Sequence, residues 1–191
     1  GFMLDGRYTM EKENEKEPQV NLLSKDKVKL RVSSILNNSG KEFGGGFMLD
    51  GKDDTCWSSN QGKTQTVIFE FKEAVKGFSV LEFISQGGFC PKNISVFVFY
   101  EDISINKSAS SFLLKNFEEV KDTSETQKLC FSEEDFRVLV NNHKESTQRN
   151  IESIENKEKT CQTPDIKAVK ITMSSFYDFF GRVTFYDMKL Y

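Results

Sequence analysis

The sequence predicts an all-β protein, with seven or eight strands arranged as an antiparallel sandwich or jelly roll. Three observations carry that expectation. Eighteen phenylalanines in 191 residues are a heavy aromatic load, and many fall in short runs of β character, which suits half-buried pleated surfaces. These runs alternate apolar with polar side chains and are separated by turn-rich segments. Almost no helical spacing intervenes, which argues against a βαβ sheet and for sheet packed on sheet. The length suits one domain able to bury a core.

Residues 1–27 read as a tail. Charges alternate along 10–19 up to Pro18, the composition of a solvated segment. "GFMLDG" stands at 1–6 and again at 46–51, and Met10 opens a plausible native start. Residues 1–9 are therefore read as an added leader rather than a functional repeat. The sandwich is expected over 28–191. "VKLRVSSIL" (28–36) places Val28, Leu30, Val32 and Ser34 on one face, and "NNSGKEFGGG" (37–46) has the composition of a loop. In "TQTVIFEF" (64–71), Val67, Phe69 and Phe71 share a face. "GFSVLEFIS" (77–85), "ISVFVFYED" (94–102) and "SSFLLKNFEEV" (110–120) follow as strands, with "QGGFCPKN" (86–93) turning between the first two. "IKAVKITM" (166–173) and "RVTFYDMKLY" (182–191) close the chain.

An insertion interrupts this pattern at about 132–165. "SEED" (132–135) has the Ser-x-x-Asp form of a helix start, and Phe136, Leu139 and Val140 follow at helical spacing. Residues 141–163 carry only Ile151 and Ile154 as large aliphatic side chains. That is too little apolar surface to offset the entropy of ordering, so this part is expected to be flexible or loosely helical.

Composition excludes several functions. A net charge of −3 and a pI near 5.4 argue against a nucleic-acid surface as the main business. No apolar stretch approaches the roughly 20 residues that span a bilayer, and residues 1–20 lack the order of a signal peptide. Cys56, Cys90, Cys130 and Cys161 show no metal-ligand spacing, and read as free thiols of a cytoplasmic or nuclear protein. The one histidine, His143, falls in the polar insertion and reads as a solvent-facing loop residue. It leaves no partner for a serine or cysteine nucleophile, and no phosphate loop or metalloprotease motif is present. The chain is not expected to be an enzyme.

The densest chemistry lies in "LDGKDDTCWSS" (49–59), with three aspartates, a threonine and the only tryptophan. A glycine-containing turn can aim carboxylates, a hydroxyl and carbonyls at calcium, which takes six to eight oxygens. It is not an EF-hand: counted from Asp50, position six is Thr55 and position twelve is Gln61. An Asp-Gly turn with surface acids and no ion explains the same residues. Asp53 and Asp54 are adjacent on one loop and cannot flank a glycosidic bond.

"FGGGFMLDGKDDTCWSSNQGKTQTVIFEF" (43–71) resembles the signature segment of the discoidin-like domains, the galactose-binding fold of coagulation-factor C domains. "FISQGGF" (83–89) and "DFFGRVTFYDMKLY" (178–191) extend the likeness, most closely to an intracellular, nuclear-receptor-associated branch named for a testicular orphan receptor. It covers about 30–131 and 166–191. The resemblance implies an eight-stranded jelly roll without catalytic activity, and, for the branch, a transcription-regulatory role. It also implies one structural calcium ion, with Asp50 giving its carboxylate, Asp53 a backbone carbonyl, and Thr55 hydroxyl and carbonyl. The last strand would contribute Asp187 as a further ligand, at the place where many sugar-binding relatives have a glutamate. Trp57 would be a core anchor.

In such domains ligands meet loops at one end of the sandwich. "SQGGFCPKN" (85–93) and "SFYDFFGR" (175–182) are the candidates. Phe89, Tyr177 and Phe179 offer apolar contact, and Gln86, Asp178 and Arg182 directional hydrogen bonds. Gly87 and Gly88 could serve only to turn the chain, and Asp178 and Arg182 only to pair. The expected function is a non-catalytic intracellular adaptor for a protein partner. A carbohydrate-binding module is the alternative, and a DNA-break scaffold a weaker one.

Overall fold

The computed structural model describes residues 18–148 and 163–191, and every structural statement below concerns those residues. The leader, Ile151, Ile154 and Cys161 lie outside them. Nine strands form two antiparallel sheets. They are β1 (Val28–Val32), β2 (Trp57–Ser58), β3 (Gln65–Val75), β4 (Val80–Ser85), β5 (Ile94–Phe99), β6 (Phe112–Phe117), β7 (Thr126–Cys130), β8 (Ile166–Met173) and β9 (Thr184–Leu190). One sheet runs β1-β3-β8-β5-β6 and the other β2-β9-β4-β7. The all-β antiparallel sandwich expected from the sequence is what forms.

Period-two patterning explains the packing. Gln65, Val67, Phe69 and Phe71 of β3 all face inward, and β8 lies between β3 and β5 with Ile166, Val169, Ile171 and Met173 buried. From the second sheet, Phe83, Phe185, Met188 and Leu190 meet them. Trp57 is fully buried, its ring stacked on Phe185 with centroids 6.0 Å apart, and its Nε1 donates to the Ser34 carbonyl at 2.9 Å. Each fully buried aromatic of this kind stabilises the fold by roughly 1.5–3 kcal/mol relative to exposure.

Several expectations need correction. The sandwich reaches upstream of Val28: the Leu22 N–H donates to the Leu190 carbonyl, and Leu23 is buried. The segment 37–46 is not plain loop, because it contains the single-turn helix α1 (Gly40–Phe43) and the start of a 3-10 turn (Gly45–Leu49) that seats Met48 in the core. β2 and β7 were not anticipated. Thr126, Lys128 and Cys130 of β7 are exposed, so this edge strand carries no apolar stripe.

The insertion is also more ordered than expected through its first half. Helix α2 (Glu133–Gln148) opens with a reciprocal cap. Asp135 N–H donates to Ser132 Oγ at 3.2 Å, and Asp135 Oδ2 accepts from the Ser132 N–H at 2.8 Å. Lys115 adds its ammonium to the same oxygen at 3.0 Å. Phe136, Leu139, Val140 and His143 recur at helical spacing on the inward side of the helix. Phe136 meets Phe78 edge-on at 5.1 Å. His143 is not a solvent-facing loop residue, since its ring packs against Tyr100 and Phe112 at 5.1 and 4.8 Å. This docking supplies the apolar contact that the helix lacks in its own composition.

Candidate functional site

Asp50 closes the quoted turn on itself. Its Oδ1 accepts from the Lys52 N–H at 2.9 Å and its Oδ2 from the Thr55 hydroxyl at 2.6 Å. Burial pushes this carboxyl up, but the bonds from Thr55 and Lys52 and the charges of Lys25 and Lys52 outweigh it, leaving the acid below its ordinary range. The turn leads into Trp57, so the loop and its anchor form one unit.

Of the residues expected around calcium, the structure brings Asp50 and Thr55 together. Asp53 is exposed, and Asp187 on β9 pairs with Lys189 at 3.4 Å. No group of three or more Asp, Glu, His or Cys gathers among the described residues in a way that could hold a metal. Asp50 and Thr55 are bonded to each other, with the charges of Lys25 and Lys52 beside the carboxylate.

The two candidate loops converge. Gln86 N–H donates to the Thr184 carbonyl, Thr184 N–H to Phe89, Tyr177 N–H to Cys90 and Lys92 N–H to Ser175. Gly87 N–H donates to Ser124 Oγ and Gly88 N–H to Asp122 Oδ1. Gly88 has φ +88°, a left-handed conformation that suits glycine. Tyr177 Oη donates to the Val120 carbonyl at 2.7 Å. Cys90 is buried beneath, its Sγ donating toward the carbonyls of Gln86 and Thr123, and burial raises its pKa. That thiol is shielded from solvent.

Asp178 and Arg182 organise the second loop. Arg182 Nε and Nη2 donate to the two carboxylate oxygens of Asp178 at 3.1 and 3.2 Å. The N–H groups of Phe180 and Arg182 also donate to Asp178 Oδ2. The guanidinium bond, chiefly, holds Asp178 below the usual carboxylate range. The same guanidinium sits 5.3 Å from the Phe89 ring centroid and 5.5 Å from that of Phe180, a double cation–π contact joining both loops. Phe179 is 93% exposed and Phe180 56%, their rings edge-to-face at 5.3 Å.

A third segment, 60–63, completes the surface, and no residue of it was among the candidates read from the sequence. Gln65 ties it down from below. Its side-chain oxygen accepts from the hydroxyls of Ser33 and Ser34, and its amide donates to the carbonyls of Asn60 and Gly181. All four hydrogen-bonding positions of that buried amide are used. Gly181 has φ +74°, and a Cβ there would drive into the Gly62 carbonyl. Between 61–63 and 174–181 lies an open pocket of about 810 Å³ walled by Phe176, Phe179 and Phe180, with Lys63 on its lining. A second concavity, about 640 Å³, lies between α2 and the sandwich, over Phe78, Phe131 and Phe136.

Fold and loop surface together define a discoidin-like, galactose-binding-like β-sandwich. Its solved neighbours include chitosan-binding module 1 from a Paenibacillus sp. IK-5 chitosanase/glucanase, with TM-score 0.60 and 11% identity over 91% of this chain and 99% of that one. An F5/8 type C domain from Bacteroides fragilis aligns with TM-score 0.59 and 10% identity over 88% and 93%. A family 32 carbohydrate-binding module of C. perfringens NanJ, solved with galactose, gives 0.53 and 11% over 85% and 92%. At such identities the likeness concerns the fold alone.

In sequence the chain is similar to the nuclear receptor 2C2-associated proteins. It is 28% identical over 158 residues to that of Xenopus tropicalis, spanning 83% of this chain and 88% of the relative. It is 50% identical over 64 residues to that of Danio rerio, spanning 33% and 44%. No family model matches the chain. No helix among the described residues is long and apolar enough to cross a membrane.

Proposed function

We propose that the chain is a non-catalytic adaptor that acts inside the cell and docks a protein partner through the loops 85–93 and 175–182. The carrying observation is the Phe179–Phe180 pair: large apolar side chains left exposed on a loop braced by Arg182. Aromatic anchors presented by a rigid loop lose little freedom on binding, which favours a stable contact. The name of the sequence relatives, which speaks of association with nuclear receptor 2C2, supports a protein partner and, with it, a role in transcriptional regulation.

The carbohydrate reading draws on the galactose-bound neighbour and on exposed aromatic rings beside polar groups. Against it, Asp178 and Arg182 spend their hydrogen bonds on each other, and the two rings meet at 87° rather than forming a flat platform. We also read the Asp50 turn as a metal-free structural element, supported by its internal hydrogen bonds.

Titration of purified nuclear receptor 2C2 against this protein tests the adaptor reading. Binding that Phe179→Ala weakens at least about tenfold, the scale of a central anchor, is the expected result. A glycan array bound by the wild type but not by Phe179→Ala, with no receptor binding, would replace the adaptor by a carbohydrate module.

A further inference from the structure

The pocket beside the aromatic pair carries a charge opposite to that of the protein as a whole. Lys63 and Asp178 are the ionisable residues on its lining. Asp178 is neutralised by Arg182 and capped by two backbone N–H groups, so its charge is matched within the loop. Lys63 is exposed and forms no ion pair among the described residues. On the adjoining loop Lys92 is likewise exposed and outside every ion pair, its ammonium 5.3 Å from the Tyr177 ring centroid. A protein of net charge −3 therefore presents an exposed lysine on the lining of this aromatic pocket.

Resting on the adaptor reading, we propose that this pocket takes an acidic segment of the partner, a carboxylate side chain meeting Lys63 while a neighbouring apolar side chain packs on Phe179 and Phe180. Charge complementarity carries this reading: Lys63 shares the lining of an open pocket with three phenylalanines, and its attraction for an anion weakens as salt rises. A basic segment would meet Lys63 with like charge and be rejected, which gives direction as well as affinity. The neutral Phe176, Phe179 and Phe180 faces supply contact without specifying sign.

The test uses the full chain, isotope-labelled for amide spectra. Two synthetic peptides are titrated: one with a central Leu-Phe pair flanked by glutamates, the other with the glutamates replaced by lysines. The glutamate peptide is expected to shift the amides of Gln61, Lys63 and Gly181 saturably and to weaken as salt rises, while the lysine peptide leaves them unmoved. Lys63→Glu should lower affinity for the glutamate peptide by about tenfold, attraction having become repulsion, with the rest of the spectrum retained. If both peptides shift these amides equally and Lys63→Glu changes neither, the acidic preference is wrong while docking at the loops stands. If neither peptide moves any amide of 59–63, 85–93 or 175–182, both the preference and the adaptor reading fall.

Discussion

The Asp178 carboxylate grips the Arg182 guanidinium at two points, 3.1 and 3.2 Å, across the three residues that carry the exposed phenylalanines. The pair is less a functional group than a brace. Its geometry is planar and forked, which an ammonium cannot reproduce.

Arg182→Lys is therefore expected to weaken binding of a partner by about five- to tenfold while leaving the sandwich folded, since the fork and the stacking on Phe89 and Phe180 are both lost. Titration with nuclear receptor 2C2, alongside a thermal melt, checks both halves of that statement. Unchanged affinity would show that the loop holds its shape without the brace.

Asp50→Ala should destabilise the fold by about 1–2 kcal/mol, because two hydrogen bonds to a carboxylate are removed from a half-buried turn. Adding calcium to chelator-treated wild type should leave the melting temperature unchanged. A calcium-dependent rise that Asp50→Ala abolishes would overturn the metal-free reading, since an ion bound only by the native state stabilises by mass action.

Acid should unfold the protein through a small set of carboxyls. Asp50, Asp135 and Asp178 all lie below their ordinary value in the fold, Asp135 chiefly through the Ser132 N–H and Asp178 chiefly through Arg182. The unfolded chain consequently binds more protons as pH falls through the carboxylate range near 4, and stability falls with it. Melting temperature is expected to hold from neutrality to about pH 5 and to decline below that. The double variant Asp135→Asn, Asp178→Asn should start lower and lose less between pH 5 and 3.

Phe136→Ala should release the start of α2 from Phe78, at a cost of about 1–3 kcal/mol for a half-buried ring. Circular dichroism should lose helical signal before the β signal melts. Simultaneous loss of both would make the helix an integral part of the sandwich rather than an appended one.

The strands were legible where one face is apolar, as in Val67, Phe69 and Phe71, or in Val96 and Val98. β7 was not, because an edge strand with three exposed residues writes no stripe into the sequence. His143 was misplaced for a related reason: its contacts come from Tyr100 and Phe112, more than thirty residues away in the chain, and no local pattern encodes them. The loops 85–93 and 175–182 were recognisable as a pair through their aromatic and polar content. Lys63 and Phe180 were overlooked, although the doubled phenylalanine before Gly181 was the visible sign of an exposed tip.

Gln65 links the segment just after β1, the 60–63 turn and the 175–182 loop through one fully saturated amide. Its consequence is historical as much as mechanical. A change at the buried Gln65 would leave the carbonyls of Asn60 and Gly181 and the Ser34 hydroxyl without the group that ties them together, so this glutamine and the loops above it are constrained as a set. Specificity at this end of the molecule can then be retuned at the tips, through Lys63 or Phe179, without disturbing the ground plan they stand on. A descendant with a different partner should differ first in those tips and keep the glutamine.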